Sequence, residues 1–272
     1  MENERGSRWW RLAAATLVGA LFLAGPIAGS RAAEQLFNES FVYPTVTLPG
    51  LTVGHSGGGH PFQQVCLTAS TNSSQTPIPG CSSGQAAIPA GGDPSGAGAL
   101  RLTDNEGSVA GFVLYNVPLP LTGGLDVHFD LYSYDTTTAG LGPADGVSFF
   151  LVDGSTNLTK PGAAGGSLGY AQQTRVDGVA GGYLGVGLDE WGNFTNDGEG
   201  RGAGCPTGSA YAGGVLHKNW VGVRGPGDGT NGYCLLKAVA VNGDSLAHPR
   251  PRSSRRTRAA RRRGLDRIVG CA

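Results

Sequence analysis

Beyond residue 33 no stretch of this chain shows the apolar period of a helix, and its apolar residues instead alternate. Residues 125–131 show the pattern best. Leu125, Val127, Phe129 and Leu131 share one face, and Asp126, His128 and Asp130 share the other, as in a half-buried strand. His128 falls on the polar face, where surface exposure is its expected role. Residues 99–103, 110–115, 183–188 and 220–224 predict further strands. The unbroken run Val147-Ser148-Phe149-Phe150-Leu151-Val152 predicts a buried one. Residues 35–53, apolar and Thr-rich, predict a first strand with its turn, and 54–98, poor in apolar residues, predict long loops. Gly (48 residues) and Pro (16) supply turns between these runs. Strands and turn signals at such intervals predict an all-β fold, a sandwich or a barrel.

Both ends differ from this body. Arg5, Arg8 and Arg11 precede the apolar run 12–24, and small residues follow to Ala32 and Ala33. That order predicts an export signal at 1–33, cleaved near Ala32 or Ala33. Left uncleaved, it would be a membrane anchor, for which the run is short. Residues 243–272 hold nine Arg and two Asp, a charge of +7. The remaining 11 basic and 18 acidic residues carry −7, within a total of 20 of each sign. A basic, Pro- and Ser-containing tail with little apolar content predicts disorder there. The acidic body suits metal or sugar binding and argues against nucleic acid as partner. The domain between is expected at 34–242.

Export permits disulfides. Five Cys allow several pairings. Cys66 with Cys81 and Cys205 with Cys234 is the expected one, because each pair brackets one loop segment, and Cys271 is left over in the tail. No C-x-x-C occurs, which argues against zinc. His55 and His60, set among glycines, read as solvated residues rather than metal ligands.

Three segments carry the functional signal. They are Ala144-Asp145-Gly146-Val147-Ser148-Phe149-Phe150, then Gly165-Gly166-Ser167-Leu168-Gly169, then Gly187-Leu188-Asp189-Glu190-Trp191-Gly192-Asn193-Phe194. Each is common by itself. In this order they resemble the legume-type (L-type) lectin family, in its bacterial wording, over about 100–241. The resemblance implies a concanavalin-like antiparallel β-sandwich (jelly roll), incomplete at the C-terminus because the family's later strands have no counterpart. It implies a secreted protein that binds glycans and performs no catalysis.

It also implies a site. Asp145, held by a cis Ala144–Asp145 peptide, would accept sugar hydroxyls. Gly166 would donate its N–H, Asn193 its amide, and Trp191 or Phe194 an apolar face to the ring. Calcium, an oxygen-seeking ion, would be held by Asp189, the Trp191 carbonyl, Asn193 and Asp197, with Asn196 competing for the last place. Gly187 stands where the family carries a Glu for a transition metal, and Asn219 where it carries a His, so no such metal is expected. Two other classes stay open: a surface or structural protein without sugar affinity, and a β-sandwich glycoside hydrolase. The hydrolase would need a carboxylate pair at catalytic spacing. Glu190 neighbours Asp189 but points to the opposite face of a strand.

Overall fold

The computed structural model describes residues 35–57, 65–81, 92–104, 107, 109–121, 123–133, 144–206, 215–241, 246 and 267–269. The expected signal segment, His60 and Cys271 lie outside these residues, as does most of the expected tail. The chain divides into two compact units, Met1–Leu36 and Phe37–Ala272, and the second holds every element below.

The fold is all-β. The described residues contain twelve strands and two short 3-10 turns, Gly165–Ser167 and Gly198–Gly200, with no α-helix. In chain order the strands are β1 (Leu51–Gly57), β2 (Cys66–Leu67), β3 (Leu100–Arg101), β4 (Val109–Tyr115), β5 (Asp130–Tyr132), β6 (Gly146–Val152), β7 (Gly182–Asp189), β8 (Trp220–Arg224), β9 (Gly227–Asp228), β10 (Asn231–Gly232), β11 (Leu235–Ala240) and β12 (Arg267–Val269). β7 lies between β6 and β8, and β11 pairs with β8, all antiparallel; the β9–β10 hairpin joins this sheet at Gly182. β1 and β4 form an antiparallel pair, and β2, β3, β12 and β5 form a third sheet. β12 falls within the expected tail and runs parallel to both β3 and β5. No helix among the described residues is long and apolar enough to cross a membrane.

The period-two pattern in β4 has a direct structural use. Phe112 and Leu114 pack in one apolar cluster with Tyr170, Phe194 and Tyr233, while Val113 and Tyr115 pack in a second with Leu67, Ile78 and Leu100. Successive side chains of a strand point to opposite faces, so one strand serves both cores. In β6, Phe150 and Val152 join the first cluster and Val147 the second. β6 is half-buried throughout rather than fully buried as its sequence predicts.

Glycines in β7 bring aromatic rings onto the sheet. A Cβ at Gly185 would lie 2.3 Å from the Tyr170 ring, and one at Gly187 2.3 Å from the Phe194 ring. The missing side chains let both rings rest on the backbone. Tyr170 donates to Gly225 O (2.8 Å) and Tyr233 to Val179 O (2.7 Å), so neither buried hydroxyl lacks a partner. Burying each such ring contributes roughly 1.5–3 kcal/mol. The disulfides are Cys66–Cys81 and Cys205–Cys234.

Two strand expectations need correction. Residues 125–129, despite their alternation, form no strand; only Asp130–Tyr132 does, and Val127 is 39% exposed. Alternation marks two faces, but a strand also needs a neighbour for its N–H and C=O groups. Likewise 35–50 carries no strand, and β1 begins at Leu51.

Candidate functional site

The three motif segments meet at one end of β6 and β7. Gly146 pairs with Asp189 in the β6–β7 register, which sets Asp145 beside the loop that follows β7. The Ala144–Asp145 peptide is cis. The Asp145 carbonyl accepts the N–H groups of Glu190 (3.0 Å) and Trp191 (3.3 Å). The 3-10 turn Gly165–Ser167 closes the third side. A Cβ at Gly165 would come 3.3 Å from Asp145 Oδ2, and one at Gly166 would lie 2.2 Å from Asn193 Cβ and 2.9 Å from its Nδ2. The backbone of this turn therefore touches both Asp145 and Asn193, and glycine is what permits the approach. Ser167 anchors the turn by donating to Gln172 O (3.0 Å).

Asp145 and Asn193 are half-buried. Burial pushes the Asp145 carboxyl up to about 6, and the negative charge of Asp189 adds to the rise. Trp191 is half-buried, with the Lys218 ammonium 3.7 Å from its ring centroid. Phe194 does not face a ligand: it is 0% exposed, within the first core cluster and against Gly187. The ring occupies the space that a longer side chain at position 187 would need.

The two carboxylates expected to hold calcium, Asp189 and Asp197, have other partners. Asp189 is 0% exposed. Its Oδ1 accepts the Gly192 N–H (2.7 Å), and its Oδ2 accepts the N–H (2.8 Å) and hydroxyl (2.9 Å) of Thr195. Burial raises its pKa and these hydrogen bonds oppose the rise. Asp197 Oδ1 accepts from Arg224 Nη2 at 3.4 Å. The Asn196 amide donates to Gly192 O and Val215 O and accepts from Gly198 N. Among the described residues no three His, Cys, Asp or Glu side chains gather into one cluster, and the expected calcium set contains only two of these, Asp189 and Asp197. Hard oxygen donors suit calcium. In this arrangement, however, Asp189 is closed by its own loop and Asp197 faces a guanidinium, so both carboxylates of the expected set Asp189, Trp191, Asn193 and Asp197 are already engaged within the chain.

Two residues that hold this loop escaped sequence reasoning. Arg224 and Arg201 are both fully buried. The signal for Arg224 was available: it ends an otherwise apolar strand, in the same register as buried Gly222, where a charge needs a partner. Arg201 sits in a Gly-rich turn and gave no such signal. Glu190 is also buried, with Oε2 accepting from Ser133 Oγ at 3.0 Å. His128 is exposed beside Asp126.

Comparison with known proteins finds no matching family model, no matching curated protein and no matching solved structure.

Proposed function

We propose that this chain is an exported carbohydrate-binding protein, similar to the bacterial legume-type lectins in a concanavalin-like sandwich, which grips sugar hydroxyls between Asp145, Gly166 and Asn193. The observation that supports it is the meeting of Asp145, the Gly165–Ser167 turn and Asn193, three segments far apart in sequence. An ionised carboxylate accepts from two hydroxyls, a backbone N–H and an amide donate, and together they fit the alternating donors and acceptors of a sugar edge. Trp191 supplies apolar area beside them.

The site binds and does not hydrolyse. Retaining hydrolysis needs a second carboxylate about 5–5.5 Å away and open to substrate. Asp189, whose charge acts on Asp145, is sealed by three hydrogen bonds within its loop. Two disulfides suit an oxidising compartment and support export.

The test is a glycan array probed with the full chain, followed by retention on a resin carrying the best sugar. Asp145→Ala should abolish retention while near-ultraviolet circular dichroism stays unchanged. A wild-type chain that binds no glycan defeats the reading in favour of a structural protein, and reducing ends released from glucan would favour the hydrolase.

A further inference from the structure

The loop that carries Asn193 is held from within by a cation that belongs to the chain. Arg224 ends β8, paired with Gly185 of β7 and Leu235 of β11, and is 0% exposed. Its Nε donates to Phe194 O (2.9 Å), and its Nη1 to Tyr233 O (2.8 Å) and Arg201 O (3.4 Å). Its Nη2 donates to Asn196 O and to Asp197 Oδ1. A guanidinium has five N–H donors, and here five oxygens receive them. Four are backbone carbonyls and one is a carboxylate oxygen, drawn from three separate stretches of chain. An all-oxygen shell of carbonyls and carboxylate is what a hard divalent cation collects from a loop. Arg201 adds a second buried cation, with Nη1 on Glu199 Oε2 (2.7 Å) and Nη2 on Asn196 Oδ1 (3.5 Å).

We propose that the Arg224 guanidinium, assisted by Arg201, is a built-in cation that holds the 189–201 loop, and Asn193 with it, in place of a bound calcium ion. The consequence for the site rests on the glycan-binding reading: sugar binding is independent of metal. One feature independent of Arg224 points the same way. Asp189 would have to release three hydrogen bonds before it could ligate an ion. An ion placed on Asp197 would also share that carboxylate with a permanent positive charge. Arg224 acts as a positioning residue, through carbonyls of the loop rather than on the ligand.

The experiment uses the disulfide-bonded full chain, measured with a chelator and with calcium at roughly 10 mM, above the affinities of weak extracellular sites. The expected result is one melting temperature in both, with no terbium luminescence sensitised by Trp191. A calcium-dependent rise of about 5–10 °C, the shift expected for ligand near a hundredfold excess over its dissociation constant, overturns the proposal, as does stoichiometric terbium binding. Arg224→Met, which removes the charge but keeps much of the volume, should melt lower and lose glycan retention at least tenfold, with proteolysis starting in the 189–201 loop. Equal melting and an intact loop in that variant also overturn it. Should the variant fail to fold, the wild-type series decides alone. A chain that binds no glycan at all defeats the lectin reading, while the metal response still decides the role of Arg224.

Discussion

Gly166→Ala probes the site by adding a single carbon. That carbon would sit 2.2 Å from Asn193 Cβ, and ordinary contact begins at 3.4 Å, so Asn193 must retreat by about 1.2 Å. Asn193 has little room to do so, because Phe194 beside it is fixed in the core and Asp189 closes the loop through Gly192 and Thr195. Overpacking of this kind costs about 1–3 kcal/mol. In a domain of this size that lowers the melting temperature by about 2–12 °C. The effect on binding should be larger than the effect on stability, because recognition groups must hold their geometry to roughly 0.5 Å. A loss of at least about 30-fold in glycan affinity, near 2 kcal/mol, is expected. The assay pairs calorimetric melting with titration on the best array glycan. Gly123→Ala is the control, since a Cβ there meets nothing within 4 Å, and it should change stability by less than about 0.5 kcal/mol. A Gly166→Ala protein that melts and binds like the control would refute the contact between the turn and Asn193.

Four further outcomes follow from the structure. The Asp145 carboxyl titrates near 6 in the folded chain against an ordinary 3.8, so between those values the native state holds a proton that the unfolded chain has released, and stability falls as pH rises through the window. Asp145→Asn should therefore be more stable than wild type at pH about 8, by on the order of 3 kcal/mol at most, in urea titrations. Wild-type glycan retention should fade below about pH 6 as the acceptor is protonated. Phe194→Ala removes a fully buried ring and should cost about 3–5 kcal/mol in the same titrations. Replacing both Cys205 and Cys234 by Ala, which opens a span of 29 residues, should cost about 3–4 kcal/mol by loop entropy, and thermal melts of the variant against wild type will read it.

Much of the strand set was legible because strands advertise themselves locally. β4, β7 and β8 coincide closely with runs that the sequence marks as strands, and both disulfides join the cysteines that bracket a common loop. The order of the Ala144-Asp145, Gly165-Gly166 and Asp189-to-Asn193 segments marked the residues that meet. The cleanest alternation in the chain, at 125–131, was misleading for a physical reason. Facing is a property of a segment, whereas a strand exists only when a second segment accepts its hydrogen bonds, and residues 125–129 have none in a ladder.

The cation at the centre of the loop belongs to the other category. Nothing near Arg224 in sequence names its partners, since the oxygens it reaches lie at 194, 196, 197, 201 and 233. Phe194 likewise reads as a ligand-facing aromatic beside Asn193, but the bare backbone of Gly187 and Gly222 admits its ring to the core. The sequence by itself marked β4, β6, β7 and β8 and the loops that carry the polar groups, because these follow from local period and spacing, and it suggested the cysteine pairing without fixing it. Tertiary structure alone decided how the loop charges are compensated and which aromatic stays outside, because each depends on residues brought together only when β7, β8 and the Asp189 loop close on one another.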